Sequence, residues 1–307
     1  MIQNHVALRY FFTTIALLSV GVNVVYKPLD AKAASASSIA TTLMAADTEM
    51  TAENYFDRGY SKYKQNDLLG AIEDYTQATN LRPDFALAYY NRGLIYSALN
   101  ELEKAIADYT QTITLNPTGP DAYYDRGIDR NALGDRSGAI ADYTKAIELK
   151  PDYTSAYNNR GNSRNASGDK KGAIADYNQA LKLNPNLVEA YNNRGNARDD
   201  SGDKKGAIAD YTKAIQIKPN YANAYYNRGI TLTSLGKKAE AIADYGNAIK
   251  FSPNYANSYY NRGLLRKALG EEEGAIVDLQ KSAELYQTQG KTEDYQDALN
   301  QLKKLQP

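Results

Sequence analysis

Small, aromatic and aliphatic side chains recur along most of the chain at the spacing of amphipathic helices. Between residues 154 and 187 they form two successive stripes, one containing Tyr157 and Gly161 and the other Ala173 and Tyr177. The members of each stripe stand four residues apart, so one face of a helix carries them. A glycine-aspartate segment typical of a turn separates the stripes, and a proline follows the second. The pattern predicts a pair of antiparallel helices.

The same two-helix pattern returns every 34 residues between 52 and 289. Glycine occupies position 8, alanine position 20 and tyrosine position 4 of every repeat, and position 24 is tyrosine except at Leu279. Glycine and alanine let two helices approach closely, so each pair should pack through these positions. Proline stands at position 32 except in the last repeat, which has Gln287. The predicted repeats are 52–85, 86–119, 120–153, 154–187, 188–221, 222–255 and 256–289.

This framework of tyrosine, glycine, alanine and proline in a 34-residue period resembles the tetratricopeptide repeat. Tyrosine replaces the family's tryptophan at position 4, and arginine replaces its leucine at position 7. One helix pair cannot bury its own apolar face, so successive repeats must stack. The resemblance implies an all-α fold: a right-handed α-solenoid of seven helix-turn-helix units whose first helices line a concave groove. Residues 290–307 are predicted to form a C-terminal capping helix with Thr292 as its N-cap.

The start of the chain has the pattern of an export signal. Arg9 precedes an apolar run at 11–25, and alanine-rich sequence follows at 31–36. Residues 1–36 are therefore predicted to be a signal peptide, which makes the remainder extracytoplasmic, that is secreted, periplasmic or lumenal. The alternative is an uncleaved N-terminal membrane anchor, with membrane contact only through 11–25. Residues 37–51 are small and polar and are interpreted as a flexible linker.

Composition excludes several classes of function. The chain has no cysteine, and its single histidine, His5, lies in the predicted signal. Thiolate nucleophiles, Cys/His zinc sites and serine–histidine triads are therefore absent, and the sequence predicts neither an enzyme nor a cofactor or metal site. The net charge is zero, and it becomes −2 if residues 1–33 are removed. Nucleic acid is not expected as a partner, because its phosphates require clustered positive charge.

Arginine at position 7 and aspartate at position 23 accompany each other in all seven repeats. A row of arginines could bind anions, but seven matched carboxylates would neutralise it. The sequence therefore favours a ladder of structural ion pairs and leaves open whether each pair lies within one repeat or between neighbours. The predicted pairs are Arg58 with Asp74, Arg92 with Asp108, Arg126 with Asp142, Arg160 with Asp176, Arg194 with Asp210, Arg228 with Asp244, and Arg262 with Asp278.

The resemblance also implies a ligand surface, because positions 2, 5, 6, 9, 12 and 13 of the family's first helices face the groove. Here aromatic and apolar residues occupy its two ends and asparagine its centre, a combination that suits an extended peptide. The candidate groove residues are Phe56, Tyr60, Tyr90, Asn91, Leu94, Tyr124, Asn158, Asn159, Asn162, Asn165, Asn192, Asn193, Asn196, Asp199, Tyr226, Asn227, Tyr260 and Asn261.

These residues predict a non-enzymatic scaffold that binds a protein or peptide. Family members that clamp an acidic C-terminal carboxylate need basic residues at positions 2, 5 and 6, and this chain has none there. The alternative is a carbohydrate or cell-wall binding module, since tyrosine rings and amides also suit sugars. The identity of the partner and the oligomeric state stay open at this stage.

Overall fold

The computed structural model describes residues 50–305, which form two compact units, 50–129 and 130–305. The predicted signal, the apolar run at 11–25 and most of the linker lie outside the described residues. In the described part of the chain there are fifteen helices and no strand. The fold is an all-α array of helical repeats, as the sequence predicts. Between residues 50 and 305, every helix is too short or too polar to cross a membrane.

The helices follow the predicted period. The first unit contains α1 (Ala52–Lys64), α2 (Leu68–Leu81), α3 (Ala86–Ala98), α4 (Leu102–Leu115) and most of α5 (Pro120–Ala132). The second unit contains the end of α5 and then α6 (Arg136–Leu149), α7 (Thr154–Ala166), α8 (Lys170–Leu183), α9 (Val188–Asp200), α10 (Lys204–Ile217), α11 (Ala222–Ser234), α12 (Lys238–Phe251), α13 (Ala256–Lys267), α14 (Glu272–Thr288) and α15 (Thr292–Lys303).

The turn within a repeat is built by its glycine and aspartate. Gly202 has a φ of +88°, which a residue without a side chain adopts at low cost. The next residue, Asp203, accepts a hydrogen bond at 2.9 Å from the backbone N–H of Gly206 and so caps α10. Asn66 and Asn100 take the positive-φ position in the first two repeats, at +64° and +62°. Asparagine tolerates this conformation better than most side chains.

The two helices of a repeat pack through glycine and tyrosine. Tyr211 is 1% exposed, and a Cβ added to Gly195 would lie 2.6 Å from its Cε1 atom. A Cβ added to Gly59 would lie 3.1 Å from the Cε1 atom of Tyr75. Glycine at position 8 therefore provides the space that the buried ring of position 24 occupies.

The last helix covers the end of the second unit. Ala298 and Leu302 are buried, and Ala298 packs with Tyr286 of α14. Residues 290–305 thus complete the apolar core, as a capping helix does. The prediction for Thr292 is wrong: Thr292 is the first helical residue, and Lys291 precedes it without a side-chain capping bond.

Candidate ligand surface on the first helices

In six of the seven predicted pairs, the arginine of position 7 binds the aspartate of position 23 in its own repeat, whereas the pair of Arg126 with Asp142 stays a prediction. Arg194 donates from Nε to Asp210 Oδ2 at 2.9 Å and from Nη2 to Oδ1 at 2.6 Å. This two-pronged geometry matches a planar guanidinium to a carboxylate. Asp210 is 3% exposed. Equivalent pairs join Arg58 with Asp74, Arg92 with Asp108, Arg160 with Asp176, Arg228 with Asp244, and Arg262 with Asp278.

The same arginine also reaches the preceding repeat. Arg194 Nη1 donates to Asn178 Oδ1 at 2.6 Å, and Arg228 Nη1 donates to the Thr212 hydroxyl at 2.9 Å. Corresponding bonds run from Arg92 to Thr76, from Arg126 to Thr110 and from Arg160 to Thr144. Four arginines, Arg92, Arg160, Arg194 and Arg228, thus bond both within their own repeat and to the preceding repeat.

A second cation completes several of these clusters. Arg198 Nη1 lies 2.7 Å from Asp210 Oδ2, the oxygen that also accepts from Arg194 Nε. Position 11 supplies the same partner elsewhere: Lys62 to Asp74, Arg130 to Asp142, Arg164 to Asp176, and Arg266 to Asp278. The arginines of the six pairs are bound to buried carboxylates, which favours a structural role over an anion site.

The residues predicted at the ends of the groove are more buried than a ligand surface requires. Phe56 and Leu94 are 8% and 9% exposed, and the structure places both in the hydrophobic core. The rings of three half-buried tyrosines pack on tyrosines of the same repeat, Tyr90 on Tyr109, Tyr226 on Tyr245, and Tyr260 on Tyr286.

The hydroxyl groups of two of these tyrosines are also engaged. Tyr90 donates to Asp125 Oδ2 at 2.6 Å, and Tyr260 donates to Asp297 of α15. Burial, together with the nearby Asp125 carboxylate, raises the pKa of Tyr90 well above its ordinary value, so its phenol stays neutral. Tyr60 and Tyr124 are half-buried, and Lys64 Nζ lies 5.3 Å from the Tyr60 ring.

The polar centre of the predicted groove is a ladder of hydrogen bonds between neighbouring first helices. The amide of position 6 donates to the preceding repeat, from Asn193 to Asn162 Oδ1 at 2.9 Å, from Asn227 to Asn192 Oδ1 at 3.0 Å, and from Asn261 to the Tyr226 hydroxyl at 3.4 Å. The buried tyrosines add bonds at 2.8 Å from Tyr177 to Asn162 and from Tyr211 to Asn196. Asparagine at position 9 therefore has a packing role that the sequence pattern alone does not reveal.

A second set of bonds joins position 12 to position 10 of the next repeat. Thr231 donates to Asp199 Oδ1 at 2.7 Å, and Ser163 donates to Asn131 Oδ1 at 3.0 Å. Asp199 also pairs with Lys204 at 2.9 Å, so it is not an isolated acid. In the first unit, Asn91 is buried at 5% exposure on α3.

Two acceptors on α7 fall outside this ladder. The Oδ1 atoms of Asn158 and Asn165 are buried and have no hydrogen-bond partner. Asn158 donates from Nδ2 to Asn159 Oδ1 at 3.3 Å, which leaves its own oxygen unused. Asn165 lacks a donor because position 10 of the next repeat is Ala197, where Ser163 and Thr231 carry hydroxyls. Asn158, Asn162 and Asn165 stand at i, i+4 and i+7, along one face of α7.

The described residues contain no cluster of three histidine, cysteine, aspartate or glutamate side chains that could hold a metal ion.

Comparisons with known proteins agree with this architecture. Profiles described as tetratricopeptide repeat or TPR repeat match residues 59–100, 86–118, 130–165, 161–202, 195–236, 231–270 and 256–289. These matches leave 119–129 uncovered, so the count of seven repeats stays a prediction. None of the curated proteins compared with the chain matches it.

Several solved structures share the fold. A tetratricopeptide repeat protein from Parabacteroides merdae has a TM-score of 0.65 at 22% identity, covering 81% of this chain and 98% of that one. The structure of MamA has a TM-score of 0.50 at 27% identity, covering 54% and 96%. YrrB, described as a TPR protein with an unusual peptide-binding site, has a TM-score of 0.52 at 24% identity, covering 60% and 95%.

Proposed function

Because this chain belongs to the tetratricopeptide repeat family, we propose that it is a non-enzymatic interaction protein. It binds an extended peptide or protein segment along the helices of its second unit that come first in their repeats, such as α7 and α9. The observation that carries this proposal is the pair of unpartnered carboxamide oxygens of Asn158 and Asn165 on α7. The repeat fold generally serves interaction rather than catalysis, and the fold of YrrB supports a peptide-binding role of this kind.

The two acceptors are exceptions to a local rule. On α9, the equivalent oxygens of Asn192 and Asp199 accept from Asn227 and Thr231 of the next repeat. A buried acceptor without a donor costs about 1–3 kcal/mol, so an unsatisfied group in a folded protein requires an explanation. Backbone N–H groups of an extended peptide are donors of the required type and repeat along the ligand, and they would reach these oxygens once the half-buried side chains of Asn158 and Asn165 turn outward.

The charges beside these acceptors select the kind of peptide. Glu189 is exposed on α9, the neighbouring first helix, Asp200 on the same helix is partly offset by Lys170 Nζ at 3.8 Å, and positions 5 and 6 carry no basic residue. A ligand with a terminal carboxylate or an acidic sequence would be repelled, whereas a neutral or basic segment would be accepted.

A random peptide display library selected on the full chain tests the proposal. We expect enriched peptides to lose roughly tenfold or more in affinity for the variant Asn158→Ala/Asn165→Ala, because about 1–3 kcal/mol of hydrogen bonding is removed. Asn220→Ala/Asn300→Ala is the matched control, since both asparagines are exposed and lie outside α7. Equal affinity for both double variants would place binding elsewhere, and displacement by cell-wall sugar fragments would favour the carbohydrate alternative.

We also propose that residues 1–36 direct export and that the repeats work outside the cytoplasm. The support is the sequence of the N-terminal segment alone. Mass spectrometry of the chain recovered from extracytoplasmic extracts of the source cell tests whether the segment is removed. A chain that begins near residues 33–37 indicates cleavage, and an intact chain found in the membrane fraction indicates an anchor.

A further inference from the structure

The last residue of a repeat folds back and closes the junction with the next repeat. Phe85 is 8% exposed, and its ring centroid lies 4.9 Å from that of Phe56. The Tyr255 ring lies 4.7 Å from the Tyr226 ring in the same manner. This position 34 carries a large apolar side chain at five junctions, namely Phe85, Tyr153, Leu187, Tyr221 and Tyr255.

The junction between α4 and α5 is the exception. Its position 34 is Gly119, followed by Pro120 at the start of α5. A pocket of about 390 Å³ lies there, entirely within the first unit. This junction pocket is lined by Ala86, Leu87, Tyr90, Thr112, Asn116, Thr118, Gly119, Pro120, Asp121 and Ala122.

The walls of the junction pocket occupy the positions that surround a ring elsewhere. Three repeats further on, Tyr221 packs on a core cluster that includes Val188, Ala214 and Ala224. The residues equivalent to those three are Ala86, Thr112 and Ala122, and all of them line the pocket. The pocket is therefore the volume that a position-34 side chain fills at the other junctions.

We propose that the junction pocket binds an aromatic side chain presented by a peptide partner. The chain's own junctions show the preferred occupant, since four of the five carry a ring. The Tyr90 ring offers one wall, as Phe56 does for Phe85, and aromatic pairs at such separations gain stability beyond their buried area. The volume lies within the range of ligand pockets, and an apolar cavity less than half as large accommodates benzene.

The rim specifies the rest of the partner. Leu87 is 47% exposed and extends the apolar wall outward. Asp121 adds a carboxylate to the rim, so a basic residue beside the aromatic one is favoured over an acidic one. This site deepens the proposed peptide-binding function but lies on α3–α5, away from the acceptors of α7, so either site can fail independently of the other.

Filling the pocket from within the chain tests the proposal. The probes are p-cresol, which is the tyrosine side chain, and an acetylated, amidated Lys-Tyr-Lys peptide, with Lys-Gly-Lys as the peptide control. We expect calorimetry on the full chain to detect p-cresol and Lys-Tyr-Lys but not Lys-Gly-Lys. Gly119→Tyr should lower both affinities by roughly tenfold or more. Asn220→Ala should leave them unchanged, since Asn220 is exposed and lies outside the pocket.

A second variant keeps the test decisive if Gly119→Tyr folds poorly. Tyr221→Gly empties the equivalent junction and should create an additional p-cresol site. Equal binding to wild type and a folded Gly119→Tyr, or no binding of p-cresol to the full wild-type chain, would overturn the proposal. The variant Asn158→Ala/Asn165→Ala should leave p-cresol binding intact, which separates failure of this site from failure of the α7 surface.

Discussion

Arg194 and Asp210 face each other in a two-pronged ion pair, 2.9 Å from Nε to Oδ2 and 2.6 Å from Nη2 to Oδ1, within one repeat. The carboxylate is 3% exposed, and Arg198 Nη1 also contacts it, at 2.7 Å from Oδ2. A buried charge that loses its partner is strongly destabilising. Removal of either partner should therefore destabilise the fold.

Arg194→Ala should lower the free energy of unfolding by about 2–3 kcal/mol. Loss of one partner of a buried pair costs about 3–5 kcal/mol, and Arg198 retains part of the neutralisation. Urea unfolding followed by circular dichroism measures the effect. Lys213→Ala is the control, because Lys213 is exposed on α10 and should change stability by less than about 0.5 kcal/mol. Equal midpoints for the two variants would contradict this account.

The matched arginines and aspartates were readable from the sequence because they keep one period. The hydrogen bond from Arg194 to Asn178 could not be predicted from the sequence, since it depends on how two repeats stack. The burial of Phe56 and Leu94 was also not predicted from the sequence. Positions 5 and 9 lie at the border between the groove and the core, and both side chains join the core, Leu94 beside Tyr109 and Phe56 beside Phe85. The sequence does carry one signal of this contact. Position 25 has a hydroxyl or an amide in every repeat that the arginine of the next repeat contacts.

Gly195→Ala should destabilise the chain more than Gly59→Ala. A Cβ at residue 195 would lie 2.6 Å from Tyr211, which forces the helices apart and costs about 1–3 kcal/mol. At residue 59 the nearest ring atom of Tyr75 is 3.1 Å away, and the higher helix propensity of alanine offsets about 1 kcal/mol. Thermal unfolding of the two variants checks the order, and a reversed order would contradict the packing argument.

Asp129→Asn should raise stability near neutral pH. Burial raises the pKa of Asp129 to about 6 from 3.8, and the Ser97 hydroxyl offsets part of that shift. A carboxyl whose folded pKa is raised stabilises the fold fully below about pH 4 and loses that contribution as pH rises to about 6. The wild type should therefore lose about 2–3 kcal/mol over this interval relative to the variant. Unfolding midpoints at a series of pH values measure the difference, and parallel curves would contradict it.

Ala197→Ser should stabilise the free protein and weaken its peptide binding together. Serine fits at position 10, because Ser163 occupies the equivalent site at 2% exposure. Its hydroxyl would donate to Asn165 Oδ1, as Ser163 does to Asn131 at 3.0 Å. Satisfying that buried acceptor should add about 1 kcal/mol to the free energy of unfolding. The peptide then loses one acceptor, so its affinity should fall by several-fold for Ala197→Ser and stay unchanged for the control Ala209→Ser, which is exposed on α10. A more stable variant with undiminished binding would show that Asn165 does not contact the ligand.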